Sequence, residues 1–263
     1  MSKRASPLRN GRPDFRSVIC RDGQATGACI GSNINHNKFF LFSELADGSK
    51  NVVVQASANF TKTQTELWNN LVIVRDDAAL HAGYLQYWTD LKAQKLNPNY
   101  YTVVDGTSNV RAYFFPRESG DTVDGVLDNA NCPGTNLRLA MAIFTTGRQN
   151  IADKLVSLKK AGCSVEAVLG TGAAPEIIST LESGGVNVLP FEAVTGESVH
   201  SNYLLIDGTY NGAADRKLVW TGSHNYSDNA LRDNDETLLK VDDAAVFDAF
   251  LDNWLKLKTA ATP

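Results

Sequence analysis

Two histidines stand in matched settings. "NHNKFFLF" (Asn35–Phe42) and "VHSNYLLI" (Val199–Ile206) each give a histidine, two further residues, then an apolar run. Downstream, "VVVQASANFT" and "LVWTGSHNYS" set Ser57 against Ser223 and Asn59 against Asn225. An imidazole can attack as a nucleophile or move a proton near neutral pH. Two of them, brought together, divide a difficult displacement into two steps. Serine and asparagine offer neutral donors to a developing oxyanion, and Lys38 adds charge. That set of groups suits a phosphodiester.

The elements that must position these residues repeat as well. "VRDDAALHAGYLQYWTDLK" lies above "KVDDAAVFDAFLDNWLKLK", pairing Asp76 with Asp242 and Trp88 with Trp254. The asparagines and the tryptophans share one offset; the histidines fall two residues short of it. Chance does not hold a register over that span, so the chain contains an internal duplication. "KFFLF", "NVVVQ" and "LVIV" read as buried strands, with "YLLI", "KLVWT" and "TLLKV" as their counterparts. Each unit closes on an amphipathic helix, Ala78–Gln94 and Ala244–Lys258, whose tryptophans are expected in the core. Before His200 the chain alternates strand and helix, from "NLRLAMAIF" to "VNVLPF". The predicted fold is α/β: two units related by a pseudo-twofold axis, with mixed sheets flanked by helices. The units span 1–108 and 109–263, joined near "KLNPNYYTVVDGTSN". Unit one has little of the block that precedes His200, which predicts that it is truncated upstream of its motif.

The composition is that of a soluble globular chain: 263 residues, 43% hydrophobic and 21% charged, with a formal charge of −4. No basic excess advertises nucleic acid, although a local groove could hide in an acidic total. No apolar run is long enough to span a bilayer, and no signal peptide is visible. The four cysteines form local couples, Cys20 with Cys29 and Cys132 with Cys163. Two disulfides and a secreted, extracellular protein are the favoured reading; zinc is the other, without a C-x-x-C to support it.

At the motif level the chain resembles the phospholipase D superfamily, whose pattern is H-x-K-x4-D followed by G-S-x-N in each half. The second copy matches at His200, Asp207, Gly222, Ser223 and Asn225, then Asn234-x-Glu236. The first matches at His36, Lys38, Ser57 and Asn59, with Ser43 and Ala56 at the Asp and Gly positions. Secreted bacterial phospholipase D-like proteins are the nearest likeness. The resemblance implies hydrolysis or transfer at a phosphodiester through a covalent phosphohistidine, without metal or other cofactor. Phospholipid is the expected substrate, with transient contact at a membrane surface. Nucleic acid is the alternative substrate, and an impaired binding protein the alternative class. A monomer suffices, because both motifs lie on one chain.

The resemblance also implies roles. His36 would be the nucleophile and His200 the acid for the leaving oxygen, with Lys38, Ser57, Asn59, Ser223 and Asn225 around the phosphate. Eleven residues beyond each motif asparagine stand Asn70 and Glu236, expected to orient His200 and His36 respectively. Asn202 replaces the second lysine. An amide without charge costs about 1–3 kcal/mol of transition-state binding there. Natural weakening, deliberate inactivation and a shift of substrate are all compatible with it. The sequons at Asn59 and Asn225 are read as accidents, "DNDE" (Asp233–Glu236) as a strand entrance rather than a metal cluster, and His81 and His224 receive no role.

Overall fold

The computed structural model describes residues 19–21, 27–107, 109–191 and 198–261. In the first unit β1 (Phe39–Glu44), β2 (Lys50–Ala56) and β4 (Leu71–Val74) form an antiparallel sheet in the order β1-β2-β4. The short β3 (Leu67–Trp68) precedes β4, and α1 (Ala78–Ala93) follows it. The second unit repeats this as β11 (Asn202–Tyr210), β12 (Ala213–Gly222), β13 (Thr237–Val241) and α6 (Ala244–Ala260). Both closing helices start from an aspartate that caps the third backbone N–H beyond it: Asp77 accepts from Leu80 and Asp243 from Val246.

The second unit's strands lie within an eight-stranded mixed sheet, ordered β5-β6-β13-β12-β11-β7-β8-β9. Its other members are β5 (Thr102–Asp105), β6 (Val110–Phe114), β7 (Ala130–Phe144), β8 (Ser164–Ala173) and β9 (Asn187–Pro190). Helices α2 (Thr122–Leu127), α3 (Gln149–Lys160) and α4 (Pro175–Ser183) cover one face, and α1 and α6 pack on the other. A short α5 (Asp228–Arg232) precedes β13, and β10 (Ser198–Val199) pairs with β3 in parallel. The alternation of β11 explains its central place: Leu204 and Ile206 enter the core under α3, while Tyr203 and Leu205 enter the core under α6. The chain changes sheets before β5, which pairs with β6 in the large sheet.

Both predicted cysteine pairs are disulfides. Among the described residues, no helix is long and apolar enough to cross a membrane. The two units differ in what covers their strands. β11 pairs along its outer edge with β7, whereas β1 has no strand there among the described residues. This overturns the expectation that both helix tryptophans are core residues. Trp254 is 1% exposed and donates to the Leu139 carbonyl of β7, while Trp88 is 46% exposed beneath Lys92. Trp254 is buried by a strand that the first unit lacks among the described residues.

Candidate active site

Each histidine is positioned by the other unit. The His36 N–H donates to the Asp235 carbonyl (3.0 Å), just before β13, and the His200 N–H donates to the Trp68 carbonyl (2.9 Å), at the end of β3. On the first side the clamp is stronger. The buried Asp235 carboxylate accepts from the backbone N–H groups of Cys29, Ile30 and Gly31 at 2.6, 3.0 and 2.7 Å, closing the segment that leads to His36. Gly31 is needed there, because a Cβ would overlap the Asp233 carbonyl.

The His36 ring meets Glu236, as the resemblance implies, with Nδ1 at 2.9 and 3.1 Å from the two carboxylate oxygens. Nδ1–H donates to the carboxylate, which leaves Nε2 as the nitrogen not held by Glu236. Glu236 is fully buried and also accepts from Asn234 Nδ2 at 3.0 Å. Burial alone would raise its pKa; the charges of His36 and Lys38, with the His36 hydrogen bond, outweigh that and hold it below the usual glutamate value. Lys38 is buried, its Nζ donating to the His36 carbonyl at 2.6 Å. Burial lowers its pKa to about 8 against the opposing pull of Glu236, so the ammonium persists at neutral pH.

The second histidine is supported differently. His200 Nε2 lies 3.3 Å from Asn59 Nδ2, and its Nδ1 makes no hydrogen bond among the described residues. Its pKa is lowered, first by burial and then by the charges of Lys38 and His36, which places all three groups in one field. The Asn70 side chain bonds elsewhere, unlike what the resemblance implies. The Asn70 amide donates to Thr221 Oγ1 (2.5 Å), and its oxygen accepts the Asn202 N–H (3.2 Å). The reason is a shift of register. Ser57 exchanges hydrogen bonds with the backbone of Asn70, and Ser223 exchanges the same pair with Thr237. The link from serine to strand is therefore one residue shorter in the first unit, and Asn69, not Asn70, stands where Glu236 stands in the second. Asn69 Oδ1 accepts from Ser57 Oγ at 3.1 Å.

The remaining predicted residues divide. Ser57 and Ser223 are fully buried, and their hydroxyls accept the N–H that opens the next strand. They hold the motif turns rather than reach a substrate. Asn225 is buried, with Oδ1 unbonded among the described residues. Asn202 is also buried: Oδ1 accepts from the Ala142 N–H and Nδ2 donates to the Ser223 carbonyl, each at 3.4 Å. It ties β11 to its neighbours where a second cation was expected.

His224 is fully buried against Phe115, with a ring-centroid separation of 4.4 Å. Burial, followed by the nearby Arg148 charge, pushes its pKa down to about 3, so the ring is neutral. Arg148 forms a buried bidentate pair with Asp121 at 2.7 and 2.8 Å. Neither Arg148 nor Asn69 belongs to a repeated motif, and only strand pairing and helix packing bring them near the site. Within "DNDE", Asp235 and Glu236 are committed to the bonds described above.

The two histidines, one carboxylate-bound and one not, stand just ahead of the matched strands β1 and β11, each in its own sheet. The sequence profile of the family described as "Cardiolipin synthase, PLD-like domain" matches residues 126–257, half of the chain. The chain belongs to this family of the phospholipase D superfamily. Among solved structures, polyphosphate kinase from Porphyromonas gingivalis aligns with 87% of this chain and 34% of its own, at 13% identity and a TM-score of 0.58. Phosphatidylserine synthase from Haemophilus influenzae Rd KW20 aligns with 86% and 61%, at 13% identity and a TM-score of 0.58. Nuc, a phospholipase D family member from Salmonella typhimurium, aligns with 57% and 94%, at 20% identity and a TM-score of 0.46. The first two likenesses are ones of fold. No curated protein matches the chain.

Proposed function

We propose that the protein is a phosphodiesterase of the phospholipase D type that acts on phospholipid head groups through a phosphohistidine at His36. The observation that carries this reading is the asymmetry of the pair: His36 is bound to a buried carboxylate and His200 is not. In the first step His36 Nε2 attacks phosphorus, the bond to the leaving oxygen breaks, and His200 gives that oxygen its proton. In the second, a water or alcohol transfers its proton to His200 and its oxygen displaces His36 from phosphorus. Lys38 supplies charge to the non-bridging oxygens, and Asn59 and Asn225 supply donors. Phospholipid is favoured over nucleic acid by the ground beside Asn59. Phe60 is 73% exposed and packs edge-on against Phe40 at 5.2 Å, with Phe42 stacked beyond it. An apolar cluster at the motif suits acyl chains and transient contact with a membrane surface. The disulfides support a secreted protein.

The test combines turnover of bis-p-nitrophenyl phosphate with a comparison of phosphatidylcholine vesicles and plasmid DNA. Loss of turnover in His36→Ala, together with a phosphoenzyme trapped in His200→Ala, is the expected result. A phosphoenzyme in His36→Ala overturns the assignment, and cleavage of DNA with intact vesicles overturns the substrate.

A further inference from the structure

A second polar cavity lies outside the two-histidine site. Its volume is about 370 Å³, at the lower end of the range for small-molecule pockets, and it opens where α2 leaves the β6–β13 corner of the large sheet uncovered. It contains neither histidine nor any of their hydrogen-bond partners, and Asp121, the partner of Arg148, is the residue it has in common with the surroundings described above. Lys240 stands four residues beyond Glu236 on β13, about 13 Å along the strand.

Three cations line this cavity: Arg111, Arg117 and Lys240. Arg111 is paired with Asp105 at the exposed rim. Arg117 donates to the Ser119 carbonyl and to Thr122 Oγ1 and stacks over Tyr101, with no carboxylate among the described residues. Lys240 has no anionic partner among them either; its ammonium lies 5.8 Å from the ring centroids of both Tyr210 and Trp220. The one acidic residue in the wall, Asp121, is committed to Arg148. Burial, followed by the charges of Arg111 and Arg216 and opposed by that of Asp105, lowers the Lys240 pKa. Behind Lys240, the buried Trp220 indole N–H has no acceptor among the described residues. The tyrosine and asparagine side chains of Tyr113, Asn129 and Asn211 complete a polar wall.

We infer that this cavity is a binding site for a small phosphate-bearing molecule, its phosphate held between Arg111 and Lys240 and its polar body against the tyrosine and asparagine wall. Arg111 Nε and Nη2 hold Asp105, so a phosphate would meet the remaining edge of that guanidinium and take its point charge from the Lys240 ammonium. The inference is independent of the phosphodiesterase reading.

Calorimetric titration with glycerol 3-phosphate tests it, with inorganic phosphate as a second probe. The Lys38→Ala protein, which lacks the cation of the histidine site, should retain one binding site. Lys240→Met and Arg111→Gln should each weaken that site about tenfold or more, the effect of losing one charge-assisted hydrogen bond. Arg111 is half exposed, so its replacement keeps the test open if Lys240→Met does not fold. Binding lost in Lys38→Ala but unchanged in Lys240→Met and Arg111→Gln would overturn the proposal, as would no binding in the unaltered protein. Preference for glycerol 3-phosphate over inorganic phosphate identifies the polar body as part of the ligand; equal binding assigns the site to the phosphate alone.

Discussion

At the scale of single residues, the site is defined by which imidazole has a carboxylate. Glu236 fixes the tautomer of His36, while Asn69 occupies the equivalent place beside the second motif and brings no charge. A His200 pKa below its ordinary value of 6.5 means the acid form is scarce at neutral pH and grows as pH falls. Turnover should therefore decline with rising pH on an alkaline limb centred below that value. Asn69→Asp, nearly the same shape, should move this limb upward by about one pH unit; a pH–rate profile that stays in place would refute it. Lys38 yields the opposite trade between stability and chemistry. Because folding lowers its pKa from 10.5 to about 8, the buried ammonium costs about 3 kcal/mol at any pH below 8. That cost shrinks as pH rises from 8 to 10.5 and is gone above. Lys38→Met should thus unfold at higher denaturant concentration near pH 7, with the gain vanishing by about pH 10.5, while turnover falls about 100-fold or more.

At the scale of elements, the site depends on segments that lack regular structure. The stretch leading to His36 is paired by isolated bridges, Gly27 with Ile34 and Asn35 with Asp235, and the Asp235 carboxylate supplies further acceptors to it. The disulfide Cys132–Cys163 acts at the other side of the molecule, joining β7 to the turn that follows α3. It closes a loop of 31 residues in sequence separation. Replacing both cysteines by serine should cost about 2–4 kcal/mol in denaturant unfolding. Because the bridge is remote from the histidines, turnover of the folded fraction should be unchanged. A parallel loss of turnover would mean that β7 transmits strain to the site.

At the scale of the whole molecule, the duplication is preserved in the strands that carry the motifs and lost in the layers around them. The matched tryptophans report this directly. Trp254→Ala should cost about 3–5 kcal/mol, the range for a large buried aromatic, whereas Trp88→Ala should stay within about 0.5 kcal/mol. Chemical denaturation of the two variants side by side measures the difference, and equal costs would show that the first-unit helix is covered in solution. The same asymmetry exposes Phe40 and Phe42, because the strand face that α1 does not cover has no second layer among the described residues.

The sequence by itself determined the repeat, the strand and helix periods and the two cysteine couples, which follow from short-range pattern; the partnership of His36 with Glu236 was implied by the resemblance to the phospholipase D superfamily. The count to Asn70 fails because the loop is one residue shorter in the first unit, a slip that only the hydrogen bonds between Ser57 and Asn70 reveal. Nor could the sequence show that Ser57, Ser223 and Asn202 hold the backbone. A polar side chain at a strand end reads the same whether its partner is a substrate or a carbonyl from another strand. The cavity at Lys240 was equally hidden, since Arg111, Arg117 and Lys240 share no spacing. Tertiary structure decided these points, because burial and hydrogen-bond partners come from strands distant in sequence.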